Sequence, residues 1–302
     1  YANGGWINSN PIPDEYSQYG AFTVIYEENQ EQLKSLVEEV SAQKDTKQGS
    51  VNQKIRDFYN SGMDTVKIEE LGVNALATQL DEITNLKTKE DIEKQVAVMH
   101  RRGSYPLFYF FASTDQRNSS MEIGNFYQGG IGLPDMDYYI NESDRSEGIR
   151  QAYLEHLKKM FILKGETEER AKEAAETVMN IETDLAKVSR TRLELRNPVA
   201  NYNKMTLDEL KEHSPDFGWD NYFGALGVSD PGGMNVGQPD FIGSMGNILN
   251  KYDVEEWKDY LTWNLLDNSA NYLNQAFVDQ NFDFFGKTLS GRKKLQPRWK
   301  RV

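Results

Sequence analysis

The chain has 302 residues, of which 38% are hydrophobic, and this is enough for one large globular domain or two lobes. A formal net charge of −13 argues against a nucleic-acid partner and against docking on an anionic membrane, because both need a basic face. Without cysteine, neither disulfides nor thiolate metal sites can form. No apolar stretch approaches the roughly 18 residues of a membrane span. The chain opens at Tyr1 without an initiator methionine, which leaves open a targeting segment removed from its front.

Apolar side chains recur at helical spacing through the first hundred residues. An amphipathic helix is predicted over about 17–42, and its apolar face is formed by Leu33, Leu36, Val37 and Val40. Shorter helical stripes follow over 55–59, 76–83 and 92–99. Thr88 is the predicted N-cap of the last of these, because Glu90 and Asp91 then lie in a first turn that favours negative charge.

One stretch is typical of a sheet. The run Leu107–Phe111 is aromatic and too short for a helix, and Met121–Tyr127 can pair with it across a polar loop at 113–120. A β-hairpin is therefore predicted at about 107–127.

Helical periodicity returns in the second half of the chain. One helix carries Tyr153 and is predicted to end near Gly165, and an alanine-rich helix follows over about 171–188 and stops before Asn197. A third helix is predicted after Asp253, with an extension to about Phe277. A capping box is predicted at Thr206–Glu209, and the Gly- and Pro-rich region 229–244 is predicted to be a loop. The predicted fold is mainly α, a multi-helix lobe with one short hairpin.

The residues that could carry chemistry form no self-contained active site. The three histidines, His100, His156 and His213, lack the His-Glu-x-x-His spacing that places two imidazoles on one helix face, so they are predicted to be structural or surface residues. Neither a catalytic residue nor a metal ligand is assigned in this chain. A basic run at 292–301 is predicted to be a solvated or docking face.

Several phrases in order resemble one family, the neprilysin and endothelin-converting-enzyme group of zinc metalloendopeptidases, in particular a bacterial oligopeptidase O-like member. The phrases are Tyr1-Ala2-Asn3-Gly4-Gly5-Trp6, Ile12-Pro13, Tyr19-Gly20-Ala21-Phe22, the run 53–59, Ile131-Gly132-Leu133-Pro134-Asp135-Met136-Asp137-Tyr138-Tyr139, Tyr202-Asn203-Lys204-Met205-Thr206, Leu289-Ser290-Gly291 and Pro297-Arg298-Trp299-Lys300-Arg301-Val302.

This resemblance implies one lobe of a two-lobed enzyme that hydrolyses peptides. The thermolysin-like lobe that carries the zinc motif corresponds to sequence after Val302 and is absent from this chain, so zinc is expected in the full-length enzyme and the chain alone is expected to be inactive. The implied segments are 1–45, an N-terminal segment and long helix facing the catalytic lobe; 46–288, a helical substrate-gating lobe; and 289–302, a return toward the catalytic lobe. The expected partners are peptide substrates and that catalytic lobe.

The resemblance also points to substrate contacts near the start of the long helix. In neprilysin-like members an Arg before the Tyr-Gly phrase, an Asp after the Phe and a second Arg three residues later hold the carboxylate at a peptide's C-terminus. The matching positions here are Gln18, Thr23 and Tyr26, so both arginines are missing and bidentate capture is lost. Phe22 matches an aromatic wall of the pocket beside the cut, with core packing as an equal alternative. A general endopeptidase acting on longer peptides is predicted.

Two other classes of protein stay open at this stage. One is a non-enzymatic helical module that binds peptides or a protein partner, and the other is an acidic carbohydrate-binding scaffold. A location in the cell envelope, in the periplasm or outside the cell is expected, with the cytoplasm as the alternative. An exposed apolar surface is predicted around Trp6, Phe22 and Trp299, where the catalytic lobe would dock.

Overall fold

The computed structural model describes residues 2–302, except for the side chains of residues 2, 3, 6 and 7. The α-helices are α1 (Ala2–Ser9), α2 (Ala21–Ser41), α3 (Val51–Met63), α4 (Thr65–Leu71), α5 (Ala77–Thr84), α6 (Lys89–Arg101), α7 (Asp137–Ile140), α8 (Asp144–Lys164), α9 (Glu168–Val188), α10 (Leu207–His213), α11 (Trp219–Leu226), α12 (Pro239–Gly243), α13 (Met245–Lys251), α14 (Val254–Ser269), α15 (Gln275–Asn281) and α16 (Arg298–Arg301). The strands are β1 (Phe108–Asp115), β2 (Asn118–Gln128), β3 (Lys204–Met205) and β4 (Met234–Val236). Short 3₁₀ turns cover Gly72–Leu76, Glu194–Arg196 and Ala270–Tyr272, and a π-helix covers Phe282–Leu289.

The chain divides into two compact units. The first unit combines residues 1–75 with 269–302, and the second unit is residues 76–268. The three segments implied by the family resemblance were defined by contacts with a separate catalytic lobe, so that division stays a prediction. No helix in the described part of the chain is both long and apolar enough to cross a membrane.

In the first unit, the long helix α2 is shorter at its start than the sequence pattern indicated. It begins at Ala21 instead of about residue 17, because Gly20 has an extended backbone (φ −173°, ψ −177°) and acts as its N-cap. A turn that closes from the Tyr16 amide to the Pro13 carbonyl, 2.9 Å apart, occupies the preceding residues. α3 begins where Ser50 Oγ accepts a hydrogen bond from the Gln53 amide, at 3.2 Å.

The hairpin in the second unit is longer than predicted and belongs to a larger sheet. The stretch 113–120, predicted to be a polar loop, lies mostly within β1 and β2, which pair antiparallel with only residues 116 and 117 between them. The strand order is β1-β2-β4-β3, with β4 parallel to β2 and antiparallel to β3. The region 229–244 is therefore not a simple loop, since it contains β4 and α12. Strands of two or three residues are too short to show an alternating pattern.

The core of the second unit is rich in aromatic rings. Phe108 and Phe126 on one face of the hairpin pack against Trp219 and Tyr222 of α11, with ring centroids 5.2 to 5.8 Å apart. All four side chains are essentially fully buried. Fully burying a large apolar side chain contributes about 1.5–3 kcal/mol, so this cluster fixes the sheet against the helices.

Most of the predicted helix boundaries in the second unit are confirmed, and one is wrong. Thr88 is the N-cap of α6, as predicted, and Asp91 completes a capping box there that the sequence analysis did not predict. The capping box predicted at Thr206 is confirmed. α8 ends at Lys164, which confirms the predicted end near Gly165, and Gly165 is its C-cap in a left-handed conformation. The helix after Asp253 ends at Ser269 and does not run on to Phe277, because a 3₁₀ turn breaks it. The prediction of a mainly α, multi-helix fold with one hairpin is confirmed.

Candidate functional site

The predicted substrate-contacting residues lie at the start of α2. Gln18 is exposed in the extended segment before the helix, and Thr23 is half-buried on its first turn. Phe22 is 90% exposed and Tyr26 is 51% exposed. Because residues four apart share one face of a helix, Phe22 and Tyr26 point to the same side. Phe22 is thus a surface residue in this chain, not a core residue.

The exposure of Phe22 is part of an apolar face that extends along α2. The members of this α2 face are more than half exposed, and none of the described residues of the helix is buried. They are Phe22, Ile25, Tyr26, Leu33 and Leu36. Single exposed apolar side chains are ordinary, whereas a continuous stripe marks a surface that another molecule or lobe covers.

Beside the α2 face, α2 and α3 line an open apolar cavity of about 600 Å³ within the first unit. Leu33, Val37 and Phe58 line it, and Trp299 and Val302 contribute from the end of the chain. The Trp299 side chain, predicted to be exposed, is half-buried, and the Lys34 ammonium lies 4.7 Å from its ring centroid. The side chain of Trp6, the third residue of the predicted apolar surface, lies outside the described part.

The basic run near the end of the chain pairs with acidic residues ahead of α2. The amides of Lys293 and Lys294 both donate to the Asp14 carbonyl, at 2.9 and 3.0 Å. The Lys294 ammonium lies 2.7 Å from the Glu15 carboxylate, and this hydrogen bond lowers the pKa of Glu15. Exposed ion pairs of this kind stabilise a fold only weakly. The two backbone hydrogen bonds are what fix the segment leading into α2.

A second contact of the same kind lies in the second turn of α2. Glu27 accepts hydrogen bonds from the Tyr16 hydroxyl and from the Lys300 ammonium. The basic run is therefore partly neutralised within the first unit and is not a free cationic face.

The histidines occupy structural positions. His100 is buried, with Nδ1 2.8 Å from the Tyr222 hydroxyl and Nε2 3.0 Å from the Pro106 carbonyl oxygen, and burial lowers its pKa to about 4. His213 Nε2 lies 2.7 Å from the Pro239 carbonyl oxygen. In the described part of the chain, no three His, Cys, Asp or Glu side chains are grouped so that they could hold a metal ion. The described residues therefore do not fit a catalytic zinc, which needs three protein ligands.

One buried acid was missed at the sequence level. Glu182 of α9 is 1% exposed and accepts hydrogen bonds from Tyr139 Oη (2.6 Å), Tyr153 Oη (3.1 Å) and Trp263 Nε1 (3.1 Å). Burial raises its pKa to about 7, although these donors act in the opposite direction. Tyr139 also accepts from the Leu133 amide at 2.9 Å, so Glu182 organises the Gly-Leu-Pro phrase noted in the sequence.

Comparison with known proteins defines the class of this chain. The family model for the N-terminal part of Peptidase family M13 matches residues 1–302. The chain belongs to this family, and the resemblance drawn from the sequence phrases is confirmed.

Individual proteins of this family are similar to the chain in sequence and in structure. It is 29% identical over 312 residues to endothelin-converting enzyme 1 of Cavia porcellus and 28% identical to that of Homo sapiens, covering 99% of this chain but only 41% and 40% of those proteins. Among solved structures, the zinc metalloprotease Zmp1 of Mycobacterium tuberculosis in complex with an inhibitor matches with a TM-score of 0.92 and 29% identity, over 99% of this chain and 45% of Zmp1. PepO from Lactobacillus rhamnosis, at 16% identity and a TM-score of 0.81, shares the fold. The chain thus spans less than half the length of these relatives.

Proposed function

We propose that this chain is the N-terminal, substrate-restricting lobe of a zinc-dependent metalloendopeptidase that hydrolyses oligopeptides. The match to Peptidase family M13 over the whole chain supports the family-level part of this proposal. Zinc belongs to the full-length enzyme and is held by residues outside this chain. The chain by itself has no peptidase activity.

The observation that carries the proposal is the unpartnered α2 face. A helix of 21 residues with no buried side chain among those described needs a covering surface, and the relatives are more than twice as long as this chain. We propose that the catalytic lobe of the same enzyme covers part of this face. In that arrangement 1–45 and 289–302 meet the catalytic lobe, and 46–288 restricts access to it.

The start of the α2 face contributes to the substrate-binding surface. Phe22, Thr23 and Tyr26 lie in the first two turns of α2, and Gln18 lies in the segment just before it. None of the four carries a positive charge. Without a cation there, a peptide's C-terminal carboxylate gains no charge-assisted hydrogen bond at these positions. The enzyme therefore acts as an endopeptidase on longer peptides, with no preference for a chain end just past the cut.

The test is cleavage by protein expressed from its complete coding sequence. Free-acid and amidated versions of one peptide, cut two residues from its end, should be hydrolysed with kcat/KM values within about twofold of each other. The double variant Gln18→Arg with Tyr26→Arg should favour the free acid about tenfold or more, since a bidentate pair to a carboxylate is worth about 1.5–3 kcal/mol. Leu193→Ala, a change at an exposed position of the second unit, is the control that should leave both values unchanged.

Two further observations would contradict the proposal. Chelator-sensitive cleavage by the isolated 302-residue chain would contradict the assignment of zinc to another part of the enzyme. A complete coding sequence with no His-Glu-x-x-His motif would favour the alternative, a non-enzymatic module that binds peptides or a partner. For the compartment we propose the cell envelope, the periplasm or the exterior, with the cytoplasm as the alternative, and fractionation of cells producing the protein would decide.

A further inference from the structure

The second unit contains a small polar cavity that the proposed function does not use. Its volume is about 160 Å³, and it lies between β1, α9 and α14. The aromatic rings of Tyr105, Tyr109 and Trp263 form part of its wall, and the polar lining includes Glu182, Asn264 and Asp267. Tyr105 and Tyr109 are 37% and 42% exposed, with ring centroids 5.3 Å apart, so they stand at the mouth of the cavity.

The ionisable side chains of this cavity are acids and tyrosines, with no base among its lining residues. Glu182 receives its hydrogen bonds from neutral donors, which are two tyrosine hydroxyls, the Trp263 indole and the Gly132 amide. The half-buried carboxyl of Asp267 has no hydrogen bond or ion pair with any described residue. Two carboxyls in one cavity without a counter-charge leave a site that a cation would neutralise.

The walls of the cavity are held in place before any ligand arrives. The Tyr260 hydroxyl accepts from the Leu107 amide at 2.9 Å and donates to the Gly130 carbonyl at 2.7 Å, which fixes the loop on one side. Gly130 has φ +75°, and a Cβ there would lie 2.6 Å from the Leu107 backbone, so only glycine fits. Walls fixed in this way reduce the entropic cost of binding.

We propose that this cavity binds an organic cation, the ammonium or guanidinium group of a Lys or Arg side chain of a peptide substrate. The cation would pair with Asp267 and lie against the faces of Tyr105 and Tyr109, since aromatic walls beside a carboxylate are the usual environment for such groups. A divalent metal suits the site less well, because calcium takes six or more oxygen ligands and the cavity offers two carboxyls. The identity of the ligand as a peptide rests on the proposed function, and the binding of a cation does not.

Protonation of its two carboxyls should make cation binding at this cavity depend on pH. The cavity raises the pKa of Asp267 to about 7 through desolvation, and it raises the pKa of Glu182 to about 7. The titratable groups that interact with Asp267 are Glu182, Tyr109 and Tyr153, and none of them supplies a positive charge. A bound cation favours the ionised carboxyl, so binding releases a proton below pH 7 and strengthens as the pH rises.

The direct test is calorimetric titration of the 302-residue chain with N-acetyl-arginine amide and N-acetyl-lysine amide. The neutral isosteres, the citrulline and norleucine amides, are the matched controls. Both cationic probes should bind, and the neutral probes at least tenfold more weakly. Binding should be roughly tenfold tighter at pH 8 than at pH 6, as for a carboxyl that titrates near 7, with a proton released at pH 6.

Two variants, each with a control variant, locate the site. Asp267→Asn, which keeps the shape of the side chain, should weaken binding at least tenfold and abolish its pH dependence, whereas Asp45→Asn, at an exposed acid of the first unit, should change nothing. Tyr109→Leu, at a position exposed enough to spare the fold, should weaken binding about threefold or more, and Tyr109→Phe should preserve it. Undiminished binding in Asp267→Asn, equal binding of the neutral probes, or binding of calcium chloride in place of the arginine probe would each overturn the proposal.

A second experiment separates this inference from the proposed function. In protein expressed from the complete coding sequence, a peptide containing Arg should have a lower KM than its citrulline counterpart, and Asp267→Asn should remove that difference while the neutral peptide keeps its kcat. Cleavage of both peptides with equal KM contradicts a substrate role for the cavity and leaves the peptidase intact. Absence of all cleavage, with the arginine probe still bound by the 302-residue chain, contradicts the proposed function alone and supports the cation site.

Discussion

Helices α2 and α9 have the same length, 21 residues, and both carry an amphipathic pattern, yet their surroundings differ completely. In α9 eight residues are buried, and α8 and α7 supply much of the cover. In α2 none of the described residues is buried, and the α2 face is open. A repeating apolar stripe therefore indicates that a helix packs against a partner, but it does not indicate whether that partner lies in the same chain.

The same contrast holds for charge. In the second unit an acid such as Glu182 is enclosed and surrounded by neutral donors, so its environment shifts its pKa. In the first unit Asp14 and Glu15 face lysines across a solvated surface. Burial therefore makes the ionisation of Glu182 depend on its enclosed surroundings, whereas solvated pairs such as Lys294–Glu15 are weakened by salt.

The largest expected difference between the two units is in the free energy of unfolding after removal of an aromatic ring. Phe126→Ala should cost about 3–5 kcal/mol, because the ring is fully buried between the sheet and α11 and its removal leaves a cavity. Phe126→Leu, which keeps most of the side-chain volume, is the conservative control and should cost less. Urea unfolding followed by tryptophan fluorescence would measure both, since Trp219 is in contact with this ring. A loss under 1 kcal/mol would show that the second unit is not a closed core.

The next effect is the pH dependence contributed by Glu182. Below about pH 4.5 its carboxyl is protonated in the folded and unfolded states alike, whereas between pH 4.5 and 7 the unfolded chain ionises first. The contribution of Glu182 to the free energy of unfolding is therefore present at low pH and is lost as the pH rises to about 7. The loss is roughly 3 kcal/mol, because the pKa is raised by about 2.5.

Glu182→Gln removes this titration, so the difference in unfolding free energy between variant and parent should change across pH 4.5–7 and stay level above it. The comparison must be with the parent chain, because Asp267 adds to the slope and His100, whose pKa is lowered to about 4, opposes it. A difference that is flat from pH 4 to 8 would mean that the carboxyl titrates alike in both states. In the first unit, Glu15→Gln supplies a control at a solvated acid.

The sequence was sufficient for features that depend on neighbouring residues and insufficient for those that depend on distant ones. The caps at Thr88 and Thr206 and the end of α8 at Gly165 follow from local hydrogen bonding and backbone freedom. The short strands β3 and β4 need partners far away along the chain, and so do the buried surroundings of Glu182, which in the sequence resembles any charged residue on a helix. The family resemblance directed attention to residues at the start of the α2 face, but only the structure shows that Phe22 and Tyr26 are exposed there.

A smaller effect comes from the caps, which are matched between the units. Ser50 Oγ and Thr88 Oγ1 each accept from an amide three residues on, at 3.2 Å, so Ser50→Ala and Thr88→Ala should each cost about 1 kcal/mol. Because α3 has no buried residue and α6 has several, loss of the cap should speed amide hydrogen exchange through the first turns of α3 more than through those of α6. Ser50→Thr and Thr88→Ser are the conservative controls. Equal protection of the two helices in the variants would show that α3 is held as firmly as α6.

The smallest expected effect on folding is at Phe22, and a small effect there would show that this chain does not cover the start of α2. Phe22→Ser in the 302-residue chain should change the free energy of unfolding by less than about 0.5 kcal/mol, because a side chain that is 90% exposed loses almost no burial. The same change should reduce self-association and the binding of an apolar dye, since it removes the most exposed ring from the α2 face. Tyr272→Ser, at an exposed aromatic elsewhere in the first unit, controls for a general change in solubility. Should Phe22→Ser destabilise the chain as Phe126→Ala does, α2 would be covered by this chain in solution, and the contrast between α2 and α9 would disappear.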